Sequence, residues 1–427
     1  MMVEKSLDLK LADIRSNPNS KAFIIADAKD ADIARGIYSC GRYSPEYHHG
    51  ELRFRNIQEY RDMMRQVVAQ GLIDICLMSP STNEVLTIQE RLFDNSHITP
   101  AGRANDTTDI YTYRGASYAT MASRPFRTTT IDHIQCGKYE CTPEERSMGA
   151  NLGLYSMTFN NDLERDAESL RCYKEFRLEA EQKGFRYFLE IFDPNVPGAV
   201  SPEDIGSYVN DTIVRSLAAV TQKGRPLFLK MVYHGPKYME ELVNYDPSIV
   251  VGILGGSSGT TYDAFKLIAD TQKYGGRVAL FGRKINESEN QFAFIKFLRM
   301  IVDGDITPEE AVKAYHGVLQ EMNIKPYRSL EDDQQMTDQS MSYSGGSSTV
   351  TAPGGVPPVK PGQPTLSKNP QPATQPATQP APQSAPQSAP QPTSAPRMYD
   401  ESEPDFTKMT NEEKIAYNQK RRDAIFG

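Results

Sequence analysis

A single lysine sits in the middle of an apolar run, Pro226-Leu-Phe-Leu-Lys-Met-Val-Tyr-His-Gly235. Short apolar runs bounded by Gly and Pro read as β-strands covered on both faces. Lys230 is costly there unless it is paired, neutral or functional. A lysine taken out of water gives up its proton more readily, and the neutral amine can attack a carbonyl to form a Schiff base. The bland alternative is a strand-end lysine that snorkels to water or pairs with a carboxylate. A second charge interrupts another apolar run, Tyr187-Phe-Leu-Glu-Ile-Phe192. With a period of two, Glu190 shares a face with Phe188 and Phe192, and Lys230 with Phe228 and Val232. If Leu189 and Leu229 face a helical layer, Glu190 and Lys230 point the same way. A glutamate beside an amine in a dry pocket can move protons during imine chemistry, against the alternative of a structural ion pair. A third acid, Asp27, ends the apolar stretch Ala22-Phe-Ile-Ile-Ala-Asp27.

Two further stretches suit an anion. Gly255-Gly-Ser-Ser-Gly-Thr-Thr261 follows a short apolar run and opens a helical pattern. Glycines let the backbone approach a phosphate, hydroxyls add donors, and a helix start adds free N–H groups and a favourable dipole. Phe281-Gly-Arg-Lys284 ends the next apolar run with a guanidinium and an ammonium. An ordinary turn can look like either stretch alone. Together they mark Gly255, Gly256, Ser257, Gly282 and Arg283 as phosphate-binding candidates.

The elements that must position these residues alternate. Expected strands cover 22–27, 72–78, 151–159, 185–192, 226–235, 249–254 and 277–281. A further strand is expected within 97–150, a Thr/Tyr/Arg-rich stretch that should also hold an inserted hairpin near 127–135. Expected helices cover 56–70, 81–93, 162–183, 201–223, 237–244, 260–274, 290–302 and 306–320. Such alternation implies parallel strands with right-handed crossovers. About eight strands over about 300 residues fit an α/β class (β/α)₈ TIM barrel, whose chemistry sits at the C-terminal strand ends. Lys230, Glu190 and Asp27 all lie near such ends, and loops after strands seven and eight often bind phosphate in this fold. A doubly wound open sheet is the runner-up, although no Gly-x-Gly-x-x-Gly follows the first strand.

The expected organisation is a leader at 1–20, a barrel at 21–328, a disordered Pro/Gln/Ser/Ala-rich linker at 329–400 and a short helix at 401–427. The linker repeats Gln-Pro-Ala-Thr and Pro-Gln-Ser-Ala units, which cannot bury a core. Thr410-Asn-Glu-Glu413 is a capping-box sequence, so the last stretch is a candidate docking helix for a protein partner.

The 427 residues carry a net charge of −8 and no basic cluster, which argues against a nucleic-acid partner. The five cysteines are scattered; Cys136 and Cys141 lack a second Cys/His pair at zinc spacing, so reduced thiols in a cytoplasmic protein are expected. Neither a metal nor a cofactor is expected. The first residues lack a long apolar run, so no secretory signal is expected, and no stretch approaches the apolar length of a membrane span. His234 could line the pocket but reads better as a supporting residue. His48 and His49 show no metal pattern, and Asp106 and Asp109 are weak candidates.

These motifs together resemble the class I Schiff-base aldolases of (β/α)₈ type, especially tagatose-1,6-bisphosphate aldolase and the archaeal-type fructose-bisphosphate aldolases. The resemblance covers about 20–320. It rests on Phe188-Leu-Glu-Ile-Phe192, Leu229-Lys-Met231, Gly255-Gly-Ser-Ser-Gly259, Phe281-Gly-Arg283 and Asp27. It implies an imine between Lys230 and a phosphorylated ketose, Glu190 as general acid/base, Asp27 as an assisting acid, and the two glycine loops as a phosphate clamp. A homo-oligomer is expected. The stretch Leu152-Gly-Leu-Tyr-Ser-Met157 lacks the fourth-strand lysine of the tagatose type. The archaeal type places aromatic residues on strand five, where this chain has Glu190 and Phe192. Another lysine-dependent lyase or isomerase, or a non-catalytic sugar-phosphate-binding barrel, are the alternatives.

Overall fold

The structure is a computed structural model that describes residues 3–41, 54–112, 115–256, 259–337 and 410. The barrel belongs to a compact unit, Met1–Pro361; of the second unit, Gly362–Gly427, only Thr410 is among the described residues. The expected linker from 338 on and the expected helix after Thr410 thus lie outside the described residues.

Among the described residues, eight parallel strands close into a barrel. They are β1 (Ile24–Lys29), β2 (Ile75–Met78), β3 (Thr99–Arg103), β4 (Leu152–Thr158), β5 (Arg186–Phe192), β6 (Leu229–Met231), β7 (Val251–Leu254) and β8 (Val278–Phe281). Each strand pairs with its neighbour in sequence, and β8 returns to β1. The fold is therefore a (β/α)₈ barrel. Closure leaves no strand edge unpaired, and the crossovers cover the outer face with helices.

The pleat sorts the side chains. Ile24 and Ala26 of β1, Leu152 and Leu154 of β4, Phe188 of β5 and Phe228 just before β6 fill the interior. Ile25, Cys76, Leu189, Leu229 and Ile253 face the helical layer. The helix Ser6–Ser16 inserts Leu7 and Leu11 into the interior cluster, so part of the expected leader belongs to the barrel core. Phe188 and Phe228 stack with centroids 4.6 Å apart, and two residues further along each strand stand Glu190 and Lys230. The rings thus floor the space in which the charged pair sits. Phe228→Ala is expected to cost about 3–5 kcal/mol of stability, as for large buried aromatics elsewhere. Urea unfolding followed by circular dichroism measures it, and a loss under about 1 kcal/mol would mean the floor is not close-packed.

Two local expectations change. The hairpin expected near 127–135 is instead the helix Ile131–Cys136, because Thr130 caps its start by accepting from His133 N and Gly137 ends it at φ 78°. The extended pair in this insertion is Asp106–Thr107 antiparallel to Pro125–Phe126. Cys136 and Cys141 are joined by a disulfide, not reduced. The left-handed Gly137 turns the chain back, which brings their Cα atoms to 6.0 Å. Cys40, Cys76 and Cys172 are free. No described helix is long and apolar enough to cross a membrane.

Candidate active site

The register of β5 against β6 sets Glu190 beside Lys230. Both side chains point into the ring, and Lys230 Nζ lies 2.5 Å from Glu190 Oε1. Glu190 is 1% exposed and Lys230 8% exposed, so the amine sits at the floor of a cavity rather than in bulk water.

A chain of polar contacts runs from this pair around the barrel. Ser156 on β4 donates to Glu190 Oε2 at 2.7 Å. Arg103, at the end of β3, donates from Nη2 to Ser156 Oγ (3.2 Å) and from Nη1 to Asp30 Oδ2 (2.8 Å). Its Nε donates to the carbonyl of Asn105 at 2.9 Å. Asn105 in turn grips the Ser156 backbone, accepting from its N–H at 2.7 Å and donating to its carbonyl at 2.8 Å. Burial works against the charged guanidinium, but Asp30 and Glu190 more than offset it and hold Arg103 above its ordinary value. The four charged groups therefore alternate in sign along one wall: Lys230, Glu190, Arg103, Asp30.

The same cavity is lined by Gly255, Gly256, Gly282 and Arg283. The two glycine loops stand at the C-terminal ends of β7 and β8, where this fold commonly binds phosphate. A side chain at Gly255 would bring its Cβ to 2.1 Å from the Phe281 ring, and Gly256 holds φ 63°. Both positions thus need glycine, which leaves the backbone exposed to a ligand. Arg35 lines the cavity from the helix Ala31–Arg35 and pairs with Glu287 at 2.8 Å. Lys284 donates to the Gly259 carbonyl at 2.8 Å and ties the two loops together. Burial, and after it the charge of Arg328, brings Lys284 down to about 8. Ser257 lies outside the described residues. Ala34, Ile110, Phe192, Val232 and Leu254 form an apolar cluster, of which all but Val232 also line the cavity.

Asp27 is not among the residues that line this cavity, which corrects its expected place there. The strand runs two residues beyond it, to Lys29, and Ala26 and Ala28 take the inward positions. Asp27 faces the helical layer, 3.4 Å from Lys29, whose ammonium also donates to Gln291 Oε1 at 3.2 Å. Burial raises the Asp27 carboxyl above the usual range, and Lys29 opposes that rise. The acid that reaches the cavity from this strand is Asp30. His234 pairs with Asp193 at 2.9 Å. Asp106 accepts from Thr128 Oγ1 (2.9 Å), and Asp109 from Ser123 (2.6 Å) and Thr158 (2.8 Å), so these acids hold the insertion together. Among the described residues, no group of three His, Cys, Asp or Glu side chains could hold a metal ion.

Sequence reading missed Asp30, Arg103, Ser156 and Arg35. For Asp30 a signal existed: it is the next acid after Asp27 in Asp27-Ala-Lys-Asp30, one residue past the strand end. Arg103 carried none, because β3 reads Thr-Pro-Ala-Gly-Arg and has no apolar alternation.

No protein-family model matches the chain, and no curated protein matches it in sequence. Among solved structures it is similar to an archaeal fructose 1,6-bisphosphate aldolase, at 14% identity and a TM-score of 0.47 over 70% of this chain and all of that one. It is also similar to a protein from Corynebacterium glutamicum, at 16% identity and 0.47 over 72% of this chain and all of that one. A third is the fructose-bisphosphate aldolase of Plasmodium falciparum, at 12% identity and 0.44 over 74% of this chain and 97% of that one.

Proposed function

We propose that this chain is a class I aldolase acting on a phosphorylated ketose. The observation that carries the reading is the Lys230–Glu190 contact at 2.5 Å, on the floor of a cavity also lined by Gly255, Gly256, Gly282 and Arg283. An amine, a proton carrier and an anion clamp share one enclosure.

Lys230 gives its ammonium proton to water, the freed amine attacks the ketose carbonyl, and the carbinolamine takes a proton back on its hydroxyl and loses water to give a protonated imine. The C3–C4 bond then breaks, its electron pair moves into the imine as an enamine, and the C4 hydroxyl proton passes to the Glu190 carboxylate. Glu190 returns that proton to C3, and water hydrolyses the imine to free the ketone phosphate. Ser156 orients the carboxylate by donating to Oε2. Arg283 and the glycine backbone hold the terminal phosphate. Asp30 and Arg103 offer an acceptor and donors to the sugar hydroxyls.

Borohydride reduction in the presence of dihydroxyacetone phosphate tests the reading. The expected result is a stable adduct on Lys230, located by peptide mass spectrometry. No adduct at that residue under turnover conditions rules the imine out. Arg283→Ala is expected to raise KM for the phosphorylated ketose about 10–100-fold with little change in kcat, as loss of a charged hydrogen-bonding group should. Steady-state kinetics measures it, and an unchanged KM removes Arg283 from the clamp.

A further inference from the structure

The stretch 329–337 was expected to begin the linker, being polar and short of apolar residues. It instead lies across the start of the helix Thr261–Lys273, the helix that follows the 255–259 loop. Ser329 caps the short helix Leu330–Asp333 by accepting from Asp332 N, which directs Asp333 toward that helix start. Asp333 Oδ1 accepts the Thr261 N–H at 2.7 Å, and its other oxygen lies 2.9 Å from His316 Nε2. Thr260 Oγ1 donates to the Gln335 carbonyl at 2.7 Å. Thr337 donates from its backbone N to Asp263 Oδ1 at 2.8 Å and from its hydroxyl to Asp263 Oδ2 at 2.5 Å. Asp263 Oδ2 also accepts the Thr260 N–H at 2.7 Å.

These contacts satisfy groups that a helix start leaves without partners of its own. Those from Asp333, Gln335 and Thr337 come from more than 70 positions away, so they add to the local Thr260–Asp263 capping box and fix the helix start to the end of the barrel chain. Asp333 is 3% exposed. Burial alone would raise its carboxyl, but the Thr261 N–H and His316 bring it below the ordinary range. Gly259, the described residue at the end of the glycine loop, lies against this anchor. A Cβ at Gly259 would lie 2.3 Å from Asp263 Oδ2, so the loop is pressed against the same carboxylate that Thr337 holds. Lys284 then links Gly259 to the β8 loop.

We infer that residues 329–337 are a brace for the phosphate clamp, with Asp333 and Thr337 as positioning residues for the 255–259 loop. The brace ends at Thr337, before the Ser/Gly-rich and then Pro-rich sequence that follows. This inference rests on the reading of the 255–259 and 282–283 loops as a phosphate clamp.

Four proteins test it alongside the full chain: a chain ending at Thr337, a chain ending at Arg328, and full-length Asp333→Ala and Asp333→Asn. Two quantities are read: inorganic phosphate affinity by calorimetry, and steady-state kinetics with a phosphorylated ketose. The chain ending at Thr337 is expected to match the full chain. Asp333→Ala and the chain ending at Arg328 are expected to weaken phosphate and raise KM by about tenfold or more, with kcat within a few-fold. Borohydride trapping with unphosphorylated dihydroxyacetone, which makes no use of the clamp, should be unchanged. Asp333→Asn, which keeps an acceptor for Thr261 N–H, should recover most of the affinity. Equal phosphate affinity in the full chain and in Asp333→Ala overturns the brace, whether or not the shorter chain folds. Weakened phosphate binding in a protein whose Lys230 is never trapped would keep the brace and discard the aldolase. A full chain that binds no phosphate discards the clamp and the brace together.

Discussion

Lys230→Met is expected to lower the cleavage rate by about 10⁴–10⁶-fold and to abolish borohydride trapping, the scale seen when a covalent nucleophile is removed. Such a loss corresponds to about 5–8 kcal/mol of barrier. Methionine fills similar volume but carries no amine, so no imine can form. The substitution also leaves Glu190, 1% exposed, without its cation. Breaking a buried pair from one side costs about 3–5 kcal/mol, so a lower melting temperature is expected too. Lys230→Arg separates the two effects. It keeps a cation against Glu190 Oε1 and should retain most of the stability, yet a guanidinium stays protonated and cannot attack a carbonyl. A Lys230→Arg protein that folds and remains inactive assigns the loss to chemistry. Cleavage at more than about a tenth of the wild-type rate in either variant would end the imine mechanism, since no described residue lining the cavity supplies another amine.

What the residues disclosed in advance follows from how each is held. Glu190 and Lys230 stood out because each breaks an apolar strand, with aromatic or branched neighbours two positions away, and that alternation survives folding as the inward face of β5 and β6. Helix ends were equally legible where caps are local. Asn56 with Glu59, Thr307 with Glu310 and Gly71 at φ 73° all act through neighbours within four residues. The barrel itself followed from the alternation of these elements.

Features fixed by distant partners were not legible. The inward face of β1 depends on where the strand ends, and Asp27 was placed from an apolar run that stops two residues early. Its outward position is stabilised by Lys29, which meets Gln291 and the Tyr60 ring from other elements. β3 contains a proline and a glycine and shows no strand period. Its register comes from β2 and β4 on either side, and Gly102 must stay bare because a Cβ there would meet Ile134 at 2.7 Å. Arg103 reaches the cavity only as a consequence. The brace at 329–337 is polar and is held by side-chain hydrogen bonds, so composition alone assigns it to the linker. The disulfide depends on a turn after Gly137 that cysteine spacing does not specify.

Glu190→Gln is expected to reduce kcat for cleavage by about 10²–10⁴-fold while leaving an adduct at Lys230 that borohydride can trap, if more slowly. The amide is nearly isosteric with the carboxylate. Its oxygen can still accept from Ser156 Oγ, so the position of the side chain should hold. The amide cannot accept the C4 hydroxyl proton or return it to C3. Imine formation needs only the amine and its access to the carbonyl, whereas bond cleavage needs a base at the moment the C3–C4 electrons move. The two steps should therefore separate in this variant: substrate accumulates as the imine, and the trapped fraction under saturating ketose rises toward one adduct per chain. Ser156→Ala gives the graded counterpart. It removes one hydrogen bond to Glu190 Oε2 and one acceptor for Arg103, and it should lower kcat by about tenfold with trapping intact. If Glu190→Gln cleaves at the wild-type rate, proton transfer belongs to another group, and Asp30 on the same cavity wall becomes the first to test. If the variant instead loses trapping altogether, Glu190 serves to position the Lys230 amine rather than to carry the proton.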